Sequence, residues 1–312
     1  MDIKVFAQEH VSQITATTGL VTYALARKKL TTGGIVAGCL VALVHMIHPW
    51  PTVFWLLILF FLLGTVVTKI GHDAKAHLTL SSTGGSGGEG ARTSAQVLAN
   101  TGFACLLILA HTYLLNSSPF ISSNLPISPG PYTPTLTKLL PVGIIAQYAA
   151  VTADTFSSEL GILATTQPFL ITAPWKQVSR GTNGGVTIDG LMYGALGSFM
   201  LTLGAIVGLY TSAPKIAMDP NAAAVVTIMG MIGSLIDSLF GAVLQATVTD
   251  RSTGKVVEGP GGQRVKIAAG GSRVQTGYDL LTNNGVNFAM AATTSVLTMG
   301  VVHLLGIGIG LR

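Results

Sequence analysis

Charge is what this chain lacks most: only 9% of its 312 residues are Asp, Glu, Lys or Arg, while 49% are hydrophobic. Soluble domains carry roughly a quarter charged residues, so this chain cannot clothe a globule in a hydrated surface. A mean hydropathy of +0.61 marks a polytopic membrane protein instead. Cysteine is nearly absent. Cys39 and Cys105 both sit inside apolar runs, which excludes a disulfide framework, a zinc site and a Cys nucleophile. Histidines 45, 48, 72, 77, 111 and 303 show no H-x3-H pair, no Ser-His-Asp set suggests covalent catalysis, and no inverted repeat relates the two halves.

Apolar runs are plentiful, and they predict an all-α fold of about seven to eight transmembrane helices in a single domain over residues 1–312. Residues 1–10 have neither the Arg- and Ser-rich character of a transit peptide nor the pattern of a cleaved signal, so neither is expected. A weak span, 11–26, ends in Arg27-Lys28-Lys29, and spans 33–49 and 51–68 follow around the turn His48-Pro49-Trp50-Pro51. Further spans are expected at 100–115, 139–156, 190–211, 222–248 and 284–310. The Ser- and Pro-rich segment from Asn116 to Lys138, with a glycosylation sequon at Asn116, reads as an irregular loop on the far side.

Alternating these spans places 13 of the 17 Lys and Arg residues on one side, which the positive-inside rule makes cytoplasmic. Lys4, Lys138, Lys215 and Arg312 fall opposite. Three polar loops, 69–99, 157–189 and 249–283, therefore share the cytoplasmic face, as one active site built from several loops would require. The endoplasmic reticulum is the expected membrane, with the plastid envelope as the alternative.

Acids are expensive in hydrocarbon, so Asp154 and Glu159 in VTADTFSSELG, together with Asp237 inside a later span, mark a working site. Asp154 and Glu159 lie about 140° apart around a helix and share no face, so one metal meets both only if the helix ends near Ser157 and Ser158. Gly233, Asp237, Gly241 and Gln245 recur every fourth residue. A close-packing seam explains the glycines but leaves Asp237 needing a cation or a watery cavity. SRGTNGGV offers Arg180 and the turn Gly181, Thr182, Asn183, Gly184 and Gly185, which suits either an anion-holding nest or a plain connector. Gln96 with Asn100, and Asn283 with Asn287, repeat an i, i+4 spacing that lines a polar mouth or glues helices together.

The blocks TKIG (68–71), GARTSAQVLANTG (90–102), TADTFSSELG (152–161), RGTNGGVT (180–187), DSLFGAVLQ (237–245) and TNNGVNF (282–288) together resemble the integral membrane family that includes transmembrane protein 19 and the plant phytyl-phosphate kinase. The resemblance covers roughly residues 33–312. Most members read DTWASELG in the acidic block, so Phe156 and Ser157 depart from the pattern while both carboxylates remain.

The resemblance implies a kinase that converts an isoprenoid monophosphate (phytyl, geranylgeranyl or farnesyl) to the diphosphate from CTP or another nucleoside triphosphate. Mg2+ would be held by Asp154, Glu159 and Asp237. Lys69, Lys75, Arg92 and Arg180 with the 181–185 turn would hold phosphate, helped by Asn100, Gln245, Asn283 and Asn287. The partners implied are the nucleotide, the lipid monophosphate and membrane lipids, with no nucleic acid; a homodimer is compatible. Two alternatives share this kit, a CTP-dependent prenol kinase and a lipid cytidylyltransferase. A third, from another class, is an ion- or proton-coupled transporter, and a scaffold without catalysis leaves the buried acids unexplained.

Overall fold

The structure, a computed structural model, describes residues 3–83, 90–116, 133–212, 216–267 and 271–311. The short α1 (Ile3–Glu9) and α2 (Val11–Ala26) precede α3 (Thr32–Met46) and α4 (Pro51–Lys69). After α5 (His72–Ala76) and β1 (Leu80–Ser81) come α6 (Ser94–Asn116) and α7 (Thr133–Gly161). A small sheet of β2 (Phe169–Leu170), β3 (Ala173–Gln177) and β4 (Gly185–Val186) leads to α8 (Ile188–Ser212). The chain continues through β5 (Ile216–Met218), α9 (Pro220–Leu244), β6 (Thr247–Asp250), β7 (Val257–Glu258), a 3-10 turn (Pro260–Gly262), β8 (Arg273–Thr276), α10 (Asn283–Leu304) and β9 (Ile309–Leu311).

Among the described residues, six helices are long and apolar enough to cross a membrane: α4, α6, α7, α8, α9 and α10, with α3 a shorter apolar helix. The polytopic helical class is as expected; the six long spans fall one short of the expected seven to eight, and the shorter α3 makes seven. Starts are set by side chains that satisfy orphan N–H groups: Thr31 accepts from Gly34 N, Asp219 from Asn221 N and Thr282 from Gly285 N. Pro51 and Pro220 occupy first-turn positions where the missing N–H costs nothing.

Two ends differ from the hydropathy reading. Spans expected to run to 248 and 310 stop as helices at Leu244 and Leu304, and the β-branched apolar residues beyond them become β6 and β9. Long-range partners capture them: β6 pairs with β8, and β9 with β5. The fifth span begins at Thr133 rather than 139, so the end of the Pro-rich segment is helical. Pro141 inside α7 cannot bond the Thr137 carbonyl, and His111 Nε2 donates to that oxygen instead, at 3.1 Å. The rest of that segment, residues 117–132 with the sequon, lies outside the described residues.

The central helix is α7, with 78% of its apolar window buried against 28 to 39% in the other spans. Val142, Ile144, Ala146, Tyr148, Ala149, Ala150 and Val151 form the middle of one continuous core. Small residues bring neighbours onto α7. A Cβ at Gly197 of α8 would sit 2.8 Å from Phe156 Cγ, and one at Gly233 of α9 would sit 2.7 Å from Ala150 Cβ. The bundle end opposite the acids is closed by a hydrogen-bonded chain: Trp50 N donates to His48 Nδ1, so His48 Nε2 carries the proton it gives His111 Nδ1, at 2.8 Å.

Replacing Gly197 by Leu forces side-chain and backbone shifts at that seam and is expected to cost about 1–3 kcal/mol, read as a lowered thermal midpoint in detergent. Gly300→Ala meets open space and is expected to leave the midpoint in place.

Candidate functional site

Helix α7 carries both acids of the VTADTFSSELG stretch, and it does not break between them. Ser158 Oγ donates back to Asp154 O at 2.9 Å, and the helix continues to Gly161. The expected helix end near Ser157 and Ser158 is thus corrected. A Cβ at Gly161 would sit 2.8 Å from Gly190 Cα, so the true end of α7 is set where α8 crosses it closely. Glu159 turns toward α4 and α5, where Lys75 Nζ lies 2.5 Å from one carboxylate oxygen and Thr68 Oγ1 donates to the other at 3.1 Å. Lys75 also donates to the Val67 and Thr68 carbonyls, so it caps the last turn of α4.

Asp154 turns the other way, toward α9. Its carboxylate lies close enough to Asp237 for direct charge repulsion. Asp237 Oδ1 is buried and, among the described residues, accepts no hydrogen bond. Two like charges side by side in a half-buried site, one with an orphaned oxygen, are relieved by sharing a cation or a proton. Among the described residues no group of three or more His, Cys, Asp or Glu is arranged to hold a metal. The three acids expected to share one metal are not gathered at one point, because the 140° between Asp154 and Glu159 gives each a different neighbour. A hard divalent cation suits two carboxylates when water and phosphate oxygens complete its shell, so the donor set fits Mg2+.

These acids open into a cavity of about 470 Å³ at one end of the bundle. Its walls include Asp154, Glu159 and Asp237, with Lys75, Arg92, Asn100, Arg180, Gly181, Thr182, Asn183, Gly184, Gly185, Gln245, Asn283 and Asn287. The three polar loops are lashed together around it. β1 pairs in parallel with β7, Lys255 Nζ donates to His77 O at 2.7 Å, and Arg273 Nη2 to Ser82 O at 2.8 Å. Asp250, outside the bundle, holds the β6–β8 turn. Hydrogen bonds from Ser252, Ser272 and Thr253 keep its carboxyl well below the usual carboxylate range.

Lys69 alone of the expected residues is not in the cavity wall. Its ammonium lies 5.7 Å from the Tyr23 ring centroid, because the last turn of α4 presents Thr68 rather than Lys69 to α7.

The RGTNGG turn is placed at the cavity but is occupied by its own protein. Arg180 donates to the carbonyls of Ile162, Thr165 and Thr166. Thr182 N donates to Ser179 O, Asn183 N to Thr247 Oγ1 and Gly185 N to Thr182 O. Asn183 Nδ2 donates to Ala246 O at 2.8 Å. Gly184 has φ +79°, and a Cβ there would sit 2.4 Å from that of Ala242, so the turn needs glycine to lie flat on α9 just beyond Asp237. Of the two sequence readings, nest or connector, the geometry presents a clasp that fixes the loop against α9.

Carboxamides form the opposite wall. Asn287 Nδ2 reaches Asn100 Oδ1 at 3.4 Å, and buried Gln147 Nε2 donates to Asn100 O at 2.9 Å. Arg92 is pinned by its backbone, donating to Lys29 O and accepting from Thr31 N. Sequence reasoning missed Lys29, His72 and the turn Gly259–Gly262, all lining the cavity. The last had a signal, since GPGGQR repeats the glycine-rich, Arg-flanked composition of RGTNGG in mirror order.

Fold and site thus define an integral membrane protein with an acid-bearing polar cavity at one end of a helical bundle. The chain belongs to the family described as integral membrane protein DUF92, whose profile matches residues 15–295. Protein PGR of Arabidopsis thaliana is 36% identical over 277 residues, covering 87% of this chain and 88% of that protein. The uncharacterized membrane protein MJ0933 of Methanocaldococcus jannaschii is 32% identical over 194 residues, 61% of this chain and 64% of that one. Protein VTE6, chloroplastic, of Arabidopsis thaliana is 25% identical over 231 residues, 72% of this chain and 61% of that one. No solved structure matches. Membership bears out the family resemblance drawn from the six blocks.

Arg180→Gln removes the clasp's three charged hydrogen bonds. Trypsin cleavage at Lys176 is expected to rise about tenfold, equivalent to about 1.4 kcal/mol of local stability. An unchanged rate would show that the loop is held without Arg180.

Proposed function

We propose that the protein is a Mg2+-dependent kinase of isoprenoid monophosphates, transferring the terminal phosphoryl group of CTP or another nucleoside triphosphate to give the prenyl diphosphate. The observation that carries this reading is the Asp154–Asp237 pair, with its unpartnered oxygen, in a polar cavity that also holds Lys75 and Arg92. Family membership and the similarity to VTE6 support it.

Phosphoryl transfer asks a protein for positioning and charge neutralisation more than covalent chemistry. Asp154 and Asp237 would hold the cation, which when bound neutralises the triphosphate. Lys29, Lys75 and Arg92 add positive charge around the same cavity and orient the two anionic substrates. A phosphate oxygen of the lipid attacks the terminal phosphorus; the new P–O bond forms as the bond to the departing nucleoside diphosphate breaks. A lipid monophosphate is already anionic near neutral pH, so no general base is required. Lys75 would move between Glu159 and phosphate, with Glu159 holding it in place when substrate is absent. Asn100, Gln245, Asn283 and Asn287 would contact the nucleotide.

The arrangement supports a kinase better than a transporter. Beneath Asp154 the centre of the bundle is filled by Tyr148, Ala149, Ala150 and Val151, each essentially inaccessible to solvent, and the far end is closed by the His48–His111 pair. We place the site toward the cytoplasm from the distribution of Lys and Arg. The endoplasmic reticulum is the proposed membrane, with a plastid envelope as the alternative that the name of VTE6 raises.

Purified protein with Mg2+, a labelled nucleoside triphosphate panel and prenyl monophosphates is expected to yield lipid diphosphate, abolished by chelator. Asp154→Asn and Asp237→Asn are each expected to lower kcat by about 10³-fold, the scale of losing a preorganised electrostatic element. Release of inorganic diphosphate instead would identify a cytidylyltransferase, and no turnover in the wild type would refute catalysis of this kind.

A further inference from the structure

The membrane register of the bundle can be read from its aromatics. On α8, Tyr193 and Tyr210 are both exposed and, at 1.5 Å per residue, lie about 25 Å apart, close to the roughly 30 Å of a hydrocarbon core. Exposed Trp55 in the second turn of α4 and Tyr113 in the last turn of α6 join Tyr210 at the end away from the cavity. Tyr193 and Tyr278 mark the cavity end. Two such belts are where aromatic side chains settle at a membrane–water boundary.

The loop between α7 and α8, at the cavity end, carries another exposed aromatic. Trp175, on β3, is 86% exposed, and its amphipathic ring is of the kind that settles at a membrane–water interface. β3 is the outer strand of the order β3-β2-β4, and Lys176 beside Trp175 is also exposed. The hairpin is not a free appendage. Ile171 N donates to Gly184 O and Val178 N to Pro168 O, so the strand is fixed to the same turn that rims the cavity and lies on α9. The first turns of α8, which follow β4 of the same sheet, present exposed Ile188 and Met192.

From this placement we infer that the Trp175–Lys176 edge of β3 is a membrane-surface docking element: it lies in the head-group layer of the protein's own bilayer beside the cavity mouth and binds anionic lipid head groups. Trp supplies the amphipathic anchor and Lys176 the charge complementary to the lipid. The cavity rim would thereby be held at head-group depth, where an amphiphile can reach it without leaving the membrane. This inference does not depend on the kinase reading.

The test is fluorescence of the full chain in lipid nanodiscs, taking the difference between wild type and Trp175→Phe to isolate Trp175 from Trp50 and Trp55. In discs of anionic lipid brominated near the head group, Trp175 emission is expected to be blue-shifted and quenched about twofold or more relative to unbrominated discs. Lys176→Glu, which keeps the fluorophore, is expected to reduce that quenching in anionic discs. Quenching by aqueous acrylamide alone, equal quenching in anionic and zwitterionic discs, or no effect of Lys176→Glu would overturn the inference.

Discussion

Two carboxylates of like charge held together in the wall of one cavity are the constraint on which the site depends. Asp154 and Asp237 come from different helices, and none of the described residues supplies Asp237 Oδ1 with a donor. A buried carboxylate without a partner costs several kcal/mol, and a second one beside it adds repulsion. Such an arrangement calls for a shared cation or proton, and in the function proposed above a divalent cation carrying phosphate supplies it.

Bringing those two residues within reach is a matter of packing. Helix α7 is nearly surrounded, and α8 and α9 approach it through glycines at positions where a Cβ would collide with Phe156 or Ala150. The same close approach carries the Asp237 stripe of α9 toward Asp154. Beyond Asp237, Gly184 lies flat on α9 while Arg180 ties the loop back to the end of α7, so the cavity wall is fixed to the helices that bear the acids. Lys75 and Glu159 close the other side by linking α5 to α7.

Much of this was legible in the chain because the bilayer imposes a simple code. Apolar runs of helix length gave the spans, and acids inside them stood out. What could not be read were the partners. Asp154 and Glu159 looked like a pair because they are neighbours in sequence, yet each points to a different helix, and Glu159 finds Lys75 across 84 residues. Arg180 lines the cavity as expected of a phosphate ligand, but it is also tied to the carbonyls of Ile162, Thr165 and Thr166 just beyond α7, and backbone acceptors carry no sequence signal. The helix ends at Leu244 and Leu304 were hidden for a related reason. Thr, Val and Ile beyond them keep the hydropathy high, while only the distant strands β8 and β5 decide that they are extended. His48 and His111 likewise show no motif spacing and meet only in the fold.

The central claim is that Asp154 and Asp237, without Glu159, form a divalent cation site. Electron paramagnetic resonance of Mn2+ titrated into the purified protein with a non-hydrolysable nucleoside triphosphate measures this without catalysis. The account predicts one protein-dependent bound ion per chain, lost in Asp154→Asn and Asp237→Asn and retained in Glu159→Gln. Equal binding by all three variants and the wild type, or loss in Glu159→Gln alone, would contradict it.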